Sequence, residues 1–255
     1  MINFVGAGPG AVDLITIRGK ELLEKADVII YAGSLVNPDL LKYARKDAII
    51  YDSAVMTLEE VTKVMIEADE KGKEVVRLHT GEPSIYGAVR EQMDILEKRG
   101  ITFASTPGVS ACFGAAASLN LEYTLPGISQ TLIITRLEGK TAVPPMEKMK
   151  LLASHNASMA IYLSAGMLDK LSKELIEGGY SPETPVALVY KATWPEEEKY
   201  ICTLKTLAET GKAKGITKTA IVLVGDVVNP GEKFERSKLY DPTFETGFRT
   251  PKEDV

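Results

Sequence analysis

Short β-rich runs alternate with amphipathic stretches of helical period through the first third of the chain, and this alternation restricts the fold more than any other feature. Ile2 to Val5 reads as a strand, Arg18 to Lys25 as a helix, and Val28 to Tyr31 and Ile49 to Asp52 as two further strands. Leu58 to Lys71 follows as a helix, with Leu58, Val61, Met65 and Ala68 on one stripe, Thr57 as its N-cap and Gly72 as its stop. Val75 to Leu78 and Ile101 to Ala104 read as strands on either side of a helix from Gly87 to Lys98. Strands that alternate with helices pair in parallel, because each crossover helix returns the chain to the same edge.

Periodicity loosens around Ser118 to Gly127, where Asn120, Pro126 and Gly127 interrupt it. A second series follows, with strands at Thr131 to Thr135, Ala160 to Leu163, Pro185 to Tyr190 and Ala220 to Val224. Helices are expected at Leu168 to Glu177 and Thr206 to Thr210, and a helix from Ala111 to Ser118 closes the first series. The expected architecture is therefore two α/β domains with mainly parallel sheets: residues 1–118, a linker at 119–127, a second domain at 128–240, and a tail at 241–255. The tail holds few aliphatic residues; it is either disordered or laid across the surface by Phe244 and Phe248. A chain of 255 residues has room for two domains of roughly 100 to 130 residues each.

Composition excludes several classes. No apolar run reaches the roughly 18 residues a membrane span needs, and Met1 to Gly6 carries no signal-peptide pattern, so a cytoplasmic protein without membrane attachment is expected. Two cysteines, Cys112 and Cys202, cannot build a disulfide framework. With only His79 and His155 beside them, no protein-bound metal is expected. The net charge of −5 disfavours nucleic acid as a partner.

Three glycine-proline loops carry the functional signal. The first, Gly6-Ala7-Gly8-Pro9-Gly10-Ala11, formally fits a dinucleotide-binding turn after a strand. The second strand, however, runs out in Ile30-Tyr31-Ala32-Gly33-Ser34 without the carboxylate that would hold the ribose hydroxyls. Val12 to Thr16 also separates the glycines from the helix, with Thr16 or Asp13 as its cap, so NAD or FAD binding is disfavoured. The second loop, Arg77-Leu78-His79-Thr80-Gly81-Glu82-Pro83-Ser84-Ile85-Tyr86-Gly87, and the third, Ser105-Thr106-Pro107-Gly108-Val109-Ser110-Ala111, each follow a strand at its carboxyl end. Open α/β sheets bind ligands at that edge.

Taken together, the loops resemble those of the tetrapyrrole methylase family, the corrin and porphyrin methyltransferases. The likeness covers nearly the whole chain, continuing through Ile161-Tyr162-Leu163-Ser164 and Ala220 to Asp226. The family usually has aspartate where Glu82 stands. Tyr31 to Asn37 and Ser237 to Pro242 are similar to the branch that methylates C11 of precorrin-4 or its cobalt form. Other branches of the fold act on other ring carbons, on ribosomal RNA or on a modified histidine of elongation factor 2.

The resemblance implies a methyl donor, S-adenosylmethionine, leaving as S-adenosylhomocysteine, in a cleft between two domains, and a homodimer. It assigns donor contacts to Pro9; to Thr80, Gly81, Glu82, Ser84 and Ile85; to Thr106, Ser110 and Ala111; and to Leu163, Ala192, Thr219 and Ala220. The substrate implied is a tetrapyrrole with several carboxylates. Arg77, Arg90, Arg136 and Lys191 stand near the loops as its partners or as solvated or structurally paired surface charges. Tyr86, Glu82, His79 and Asp52 are unranked proton acceptors, His79 reading also as a hydrogen-bonded strand-end residue. Cys112 reads as a buried small apolar residue, and Trp194 as part of an exposed loop or an interface.

Overall fold

A computed structural model describes residues 1–231 and 234–250, and the chain divides into two compact units. The first comprises Met1–Ser118 with the short stretch Lys191–Glu198; the second comprises Leu119–Tyr190 and the chain from Lys199 onward.

The first unit is built on β1 (Ile2–Gly6), β2 (Val28–Tyr31), β3 (Ile49–Asp52), β4 (Val75–His79) and β5 (Phe103–Thr106). They form one sheet in the order β3-β2-β4-β1-β5, and every pairing is parallel. Helices α1 (Ile17–Lys25), α2 (Leu58–Glu70), α3 (Arg90–Glu97) and α4 (Ala111–Leu119) accompany it. Alternate residues face opposite sides of a strand. Val5, Ile29, Val76 and Leu78 accordingly pack with Leu23 of α1, while Ile2, Phe4, Ile30 and Val75 pack with Met65 of α2 and Leu96 of α3. Both faces are covered, which is why β1 and β4 are buried along their whole length.

Helix ends follow local chemistry. Thr57 and Glu60 form a reciprocal capping box on α2, and Gly72 at φ 65° ends it. Of the two caps open for α1, Thr16 is the one used, accepting from the Gly19 amide. Helix α3 begins at Arg90, three residues later than the Gly87 start expected, because Tyr86 (φ 56°) and Ala88 (φ 50°) are left-handed and cannot enter a helix. Strand β5 runs two residues further along than the 101–104 reading.

The second unit holds β6 (Leu132–Arg136), α5 (Met149–Ala153), β7 (Ser158–Tyr162), α6 (Leu168–Gly178), β8 (Pro185–Tyr190), β9 (Glu198–Thr203), α7 (Leu207–Ala213) and β10 (Ala220–Val224). Their order is β6-β7-β10-β8-β9. Met159, Ile161, Leu188, Val222 and Val224 pack against Leu168, Leu171 and Leu175 of α6. Parallel pairings predominate across the two sheets, as the alternation implies, but this second sheet is mixed: β6 and β7 run parallel, while β10 runs antiparallel to both β7 and β8. Alternation of element type does not encode strand direction. Strand β9 and helix α5 are additions to the sequence reading. Leu163, read there as strand, lies just beyond β7 with φ 52°.

The tail neither extends as disordered chain up to residue 250 nor anchors through both phenylalanines. Arg249 donates to the carbonyls of Leu239, Asp241 and Phe244, gathering the segment on itself, and the Phe248 side chain is fully exposed. The rest of the tail, 251–255, lies outside the described residues. No helix among the described residues is long and apolar enough to cross a membrane.

Candidate functional site

Parallel register brings the carboxyl ends of β1, β4, β2 and β5 to one edge. Gly6 lies opposite His79, Leu78 opposite Tyr31, and Val5 opposite Thr106. The three glycine-proline loops leave from that edge, and they meet there. Gly8 and Gly81 pair as an isolated antiparallel bridge, with the Gly81 amide donating to the Gly8 carbonyl at 2.8 Å and the Ala7 amide to the His79 carbonyl at 2.7 Å.

The glycines are required by how closely the loops approach. A Cβ on Gly108 would fall 2.1 Å from the Gly81 carbonyl oxygen and 2.8 Å from the Gly6 Cα. One on Gly6 would fall 2.5 Å from the Gly108 nitrogen. Gly81 itself needs its left-handed φ of 57°, and its open side faces Ser110 and Ala111 at 3.7 Å. The main chains of all three loops are therefore in mutual contact.

Glu82 joins two of them through its carboxylate. Oε2 accepts the Gly108 amide at 2.7 Å and Oε1 accepts the Ser84 amide at 2.9 Å. Desolvation alone would raise its pKa; the Ser84 and Gly108 donors outweigh it, and the carboxyl lies below its ordinary value. This side chain is engaged as a structural acceptor within the loops.

The first loop has its own supports. The Asn37 side-chain Nδ2 donates to the Gly10 carbonyl at 2.9 Å, the Trp194 indole N–H to the Pro9 carbonyl at 3.0 Å, and the Ala11 main-chain amide to Thr193 Oγ1 at 3.0 Å. Trp194 is thus half-buried against a turn of its own unit, where the sequence suggested an exposed loop or an interface. Sequence reasoning gave Asn37, Thr193 and Trp194 no role in the site. The available signal was a lone tryptophan two residues after Ala192.

Of the residues singled out from the sequence, Pro9, Thr80, Gly81, Glu82, Ser84, Ile85, Thr106, Ser110, Ala111 and Ala192 all belong to the first unit. Thr106, Ser110 and Ala192 are buried there. Leu163, Thr219 and Ala220 belong to the second. Strand β10 runs antiparallel to β7 with Val222 opposite Ile161, and Ala220 pairs with Tyr190, so the end of β7, the end of β8 and the start of β10 share one edge of that sheet. Leu163 is held left-handed by its neighbour: Ser164 Oγ donates to the Tyr162 carbonyl at 2.6 Å and accepts the Leu137 amide at 3.0 Å. Its side chain is 67% exposed. Thr219 is also left-handed, at φ 56°.

The basic residues are committed elsewhere. Arg77, read as a substrate partner or a surface charge, is neither: it is buried, donating to Gln92 Oε1 at 3.2 Å and to the Ile30 carbonyl at 3.1 Å, and desolvation pushes its pKa down to about 10. Arg90 pairs with Asp94 and Glu97 on α3, and Arg136 donates to the carbonyls of Thr141 and Ala142. Lys191 lies 3.7 Å from Glu196 and over the Trp194 ring.

His79 departs from the hydrogen-bonded residue expected. It is buried and stacked on Phe4 at 6.1 Å, and its Nε2 has no hydrogen-bond partner. Burial, with the Arg77 charge adding to it, pushes its pKa down to about 3, so it is neutral at physiological pH. Asp52 accepts from the Ala54 amide and the Tyr31 hydroxyl. Cys112 is fully buried, as read.

Residues 1–208 match the sequence profile of the Tetrapyrrole (Corrin/Porphyrin) Methylases. The chain is 58% identical to a cobalt-precorrin-4 C(11)-methyltransferase of Methanocaldococcus jannaschii, covering 97% of this chain and 95% of that protein. It is 46% identical to a protein of the same name from Priestia megaterium, covering 97% of each. Among solved structures, a cobalt-precorrin-4 methyltransferase of cobalamin biosynthesis superposes with a TM-score of 0.88 at 44% identity, over 90% of this chain and 96% of that one.

Proposed function

This chain belongs to the tetrapyrrole (corrin/porphyrin) methylase family, and we propose that within it the chain transfers the methyl group of S-adenosylmethionine to C11 of cobalt-precorrin-4, a step of cobalamin biosynthesis. The observation that carries the reading is the near-full-length identity to relatives of that name, joined to the mutual contact of Gly6, Gly81 and Gly108. The cobalt form is favoured over the cobalt-free one because the relatives at 58% and 46% identity are named for it. With the family resemblance come a homodimer and a cytoplasmic location.

The residues present suit the donor. The loops offer main-chain groups and small side chains, and the carboxylate of Glu82 has both oxygens taken by loop amides. The donor supplies an activated sulfonium methyl, which forms a bond to a nucleophilic ring carbon as the carbon–sulfur bond breaks and its electron pair leaves with sulfur. The protein's contribution is placement. Loops already cross-tied by the Gly8–Gly81 bridge and the Glu82 carboxylate have little freedom left to lose on binding. Holding two reactants in line can supply up to ~7–11 kcal/mol of the barrier reduction. We assign the donor contacts to Pro9, Thr80, Gly81, Glu82, Ser84, Ile85, Thr106, Ser110 and Ala111, with Ala192, and with Leu163, Thr219 and Ala220 from the second unit. A proton that leaves the macrocycle passes to solvent or to a side chain other than His79, whose burial keeps it out of proton exchange.

Turnover of cobalt-precorrin-4 with a ¹³C-methyl donor tests the assignment. NMR should place the label on C11 and thermal unfolding should shift upward with S-adenosylhomocysteine but not with NAD. Label at another ring carbon would reject the substrate assignment while leaving the family unaffected.

A further inference from the structure

We infer that Trp194 and Thr193 are positioning residues of the first glycine loop, holding its main chain in the shape that receives the methyl donor. This rests on the methyl-donor reading above and extends it to side chains that no motif assigns.

Three polar groups of one turn are each taken by a side chain distant in sequence. The Pro9 carbonyl accepts from the Trp194 indole, the Gly10 carbonyl from Asn37, and the Ala11 amide donates to Thr193 Oγ1. The indole also covers the turn so closely that a Cβ on Gly10 would fall 2.1 Å from the ring carbon Cδ1. Simple packing would need only the apolar face of the ring. Here the polar atoms are matched one to one with the main chain of the loop.

The segment bearing these groups is held in a costly shape. Lys191 at φ 45° and Thr193 at φ 69° are both left-handed, a conformation that persists in non-glycine residues only where the surroundings over-determine it. The surroundings do so: the Glu197 carboxylate accepts the Thr193 amide at 2.6 Å and pairs with the Ser118 hydroxyl, and the Lys191 ammonium sits 5.2 Å from the centre of the Trp194 ring. Ala192, buried between the two left-handed residues, is fixed by the same arrangement. Backbone strain placed against a ligand loop, with its polar atoms aimed at that loop, points to shaping of the loop.

The test compares wild-type enzyme with Thr193→Val, Thr193→Ser and Trp194→Phe. S-adenosylhomocysteine affinity is measured by calorimetry, and steady-state turnover is measured against each substrate. Loss of one hydrogen bond to the loop should weaken S-adenosylhomocysteine roughly 2- to 10-fold and raise the donor KM by the same factor. The kcat at saturating donor and the tetrapyrrole KM should not change, and Thr193→Ser, which keeps the hydroxyl, should restore wild-type affinity. Because Trp194 is the chain's single tryptophan, wild-type emission should also change with the calorimetric midpoint. A Thr193→Val enzyme of wild-type donor affinity, even with a lowered Tm, would overturn the inference and leave the segment a stabilising role alone. If Trp194→Phe fails to fold, Thr193→Val decides by itself. A wild-type enzyme that binds no S-adenosylhomocysteine would instead overturn the methyl-donor reading, and the inference with it.

Discussion

The residues assigned to donor binding are held in opposite ways in the two sheets. At the carboxyl edge of the first, residues from three loops hold one another through Gly6, Gly81, Gly108 and Glu82, so each position is fixed by several others. At the corresponding edge of the second, Leu163 is fixed by one local device, the Ser164 hydroxyl, and leaves its side chain in solvent. Where loops support each other, a single change should damage fold and binding together. Where a residue stands alone, the two effects should separate.

The largest effect is expected for Gly108→Ala. The added methyl would meet only main-chain atoms of two other loops, none of which can rotate away. Overpacking of this kind costs about 3 kcal/mol, and the loops can relieve it only by moving apart. Chemical denaturation should show that loss, and methyl transfer should fall with it because all three loops shift. A Gly108→Ala enzyme with wild-type donor affinity would break the picture of loops that depend on each other.

A second effect runs the other way in stability and separates two titrating groups. His79 leaves a buried nitrogen unpaired, so His79→Leu should stabilise the protein by about 1 kcal/mol at neutral pH by removing an unsatisfied polar atom. The folded histidine has its pKa pushed down to about 3, well under its unfolded value of 6.5, so the unfolded state binds the extra proton between those values. That contribution is complete above pH 6.5 and is lost as pH falls toward 3. Glu82, whose folded pKa is lowered from 4.5, loses its contribution only below that value. Wild-type stability should therefore decline already between pH 6.5 and 4.5, His79→Leu should be flatter there, and Glu82→Gln should lower stability above pH 4.5, where the carboxylate accepts two loop amides, and flatten only the limb below it. Denaturation midpoints across pH 3–8 give the comparison, and a His79→Leu curve parallel to wild type would refute the assignment.

Much of this was readable in the sequence, and for a physical reason. Thr57 before an amphipathic run predicts the N-cap observed on α2, and Val28 to Tyr31, Ile49 to Asp52, Pro185 to Tyr190 and Ala220 to Val224 match the observed strands to the residue, because short apolar runs bounded by turn residues have little freedom of register. Loop positions were legible because glycine and proline mark them. What the glycines do was not: Gly6 and Gly108 answer to each other across more than a hundred residues, which spacing along the chain does not reveal. Arg77 was misread, and the partner of Trp194 missed, for a related reason. Charge suggests solvent and a Trp-Pro pair suggests a surface loop, but Gln92 and the Ile30 carbonyl satisfy the guanidinium inside the unit, and Pro9 satisfies the indole. Burial with a partner is a tertiary property. The direction of β10 was equally unreadable, since apolar alternation is the same in either sense.

The smallest effect should come from Leu163→Gly, and it bears most directly on the contrast between the two edges. Leucine at φ 52° carries a steric cost that glycine does not, while glycine gives the unfolded chain more entropy to lose; the terms oppose and should leave stability within about 0.5 kcal/mol of wild type. Little burial is forfeited in the free protein, because the side chain is 67% exposed. If that exposed isobutyl group packs on the donor, each methylene it covers is worth about 0.8 kcal/mol, so the donor KM should rise several-fold at unchanged Tm. Gly108→Ala and Leu163→Gly then form a pair: one lowers stability and affinity together, the other lowers affinity alone. A Leu163→Gly protein that unfolds several degrees early would show the second edge to be as interdependent as the first.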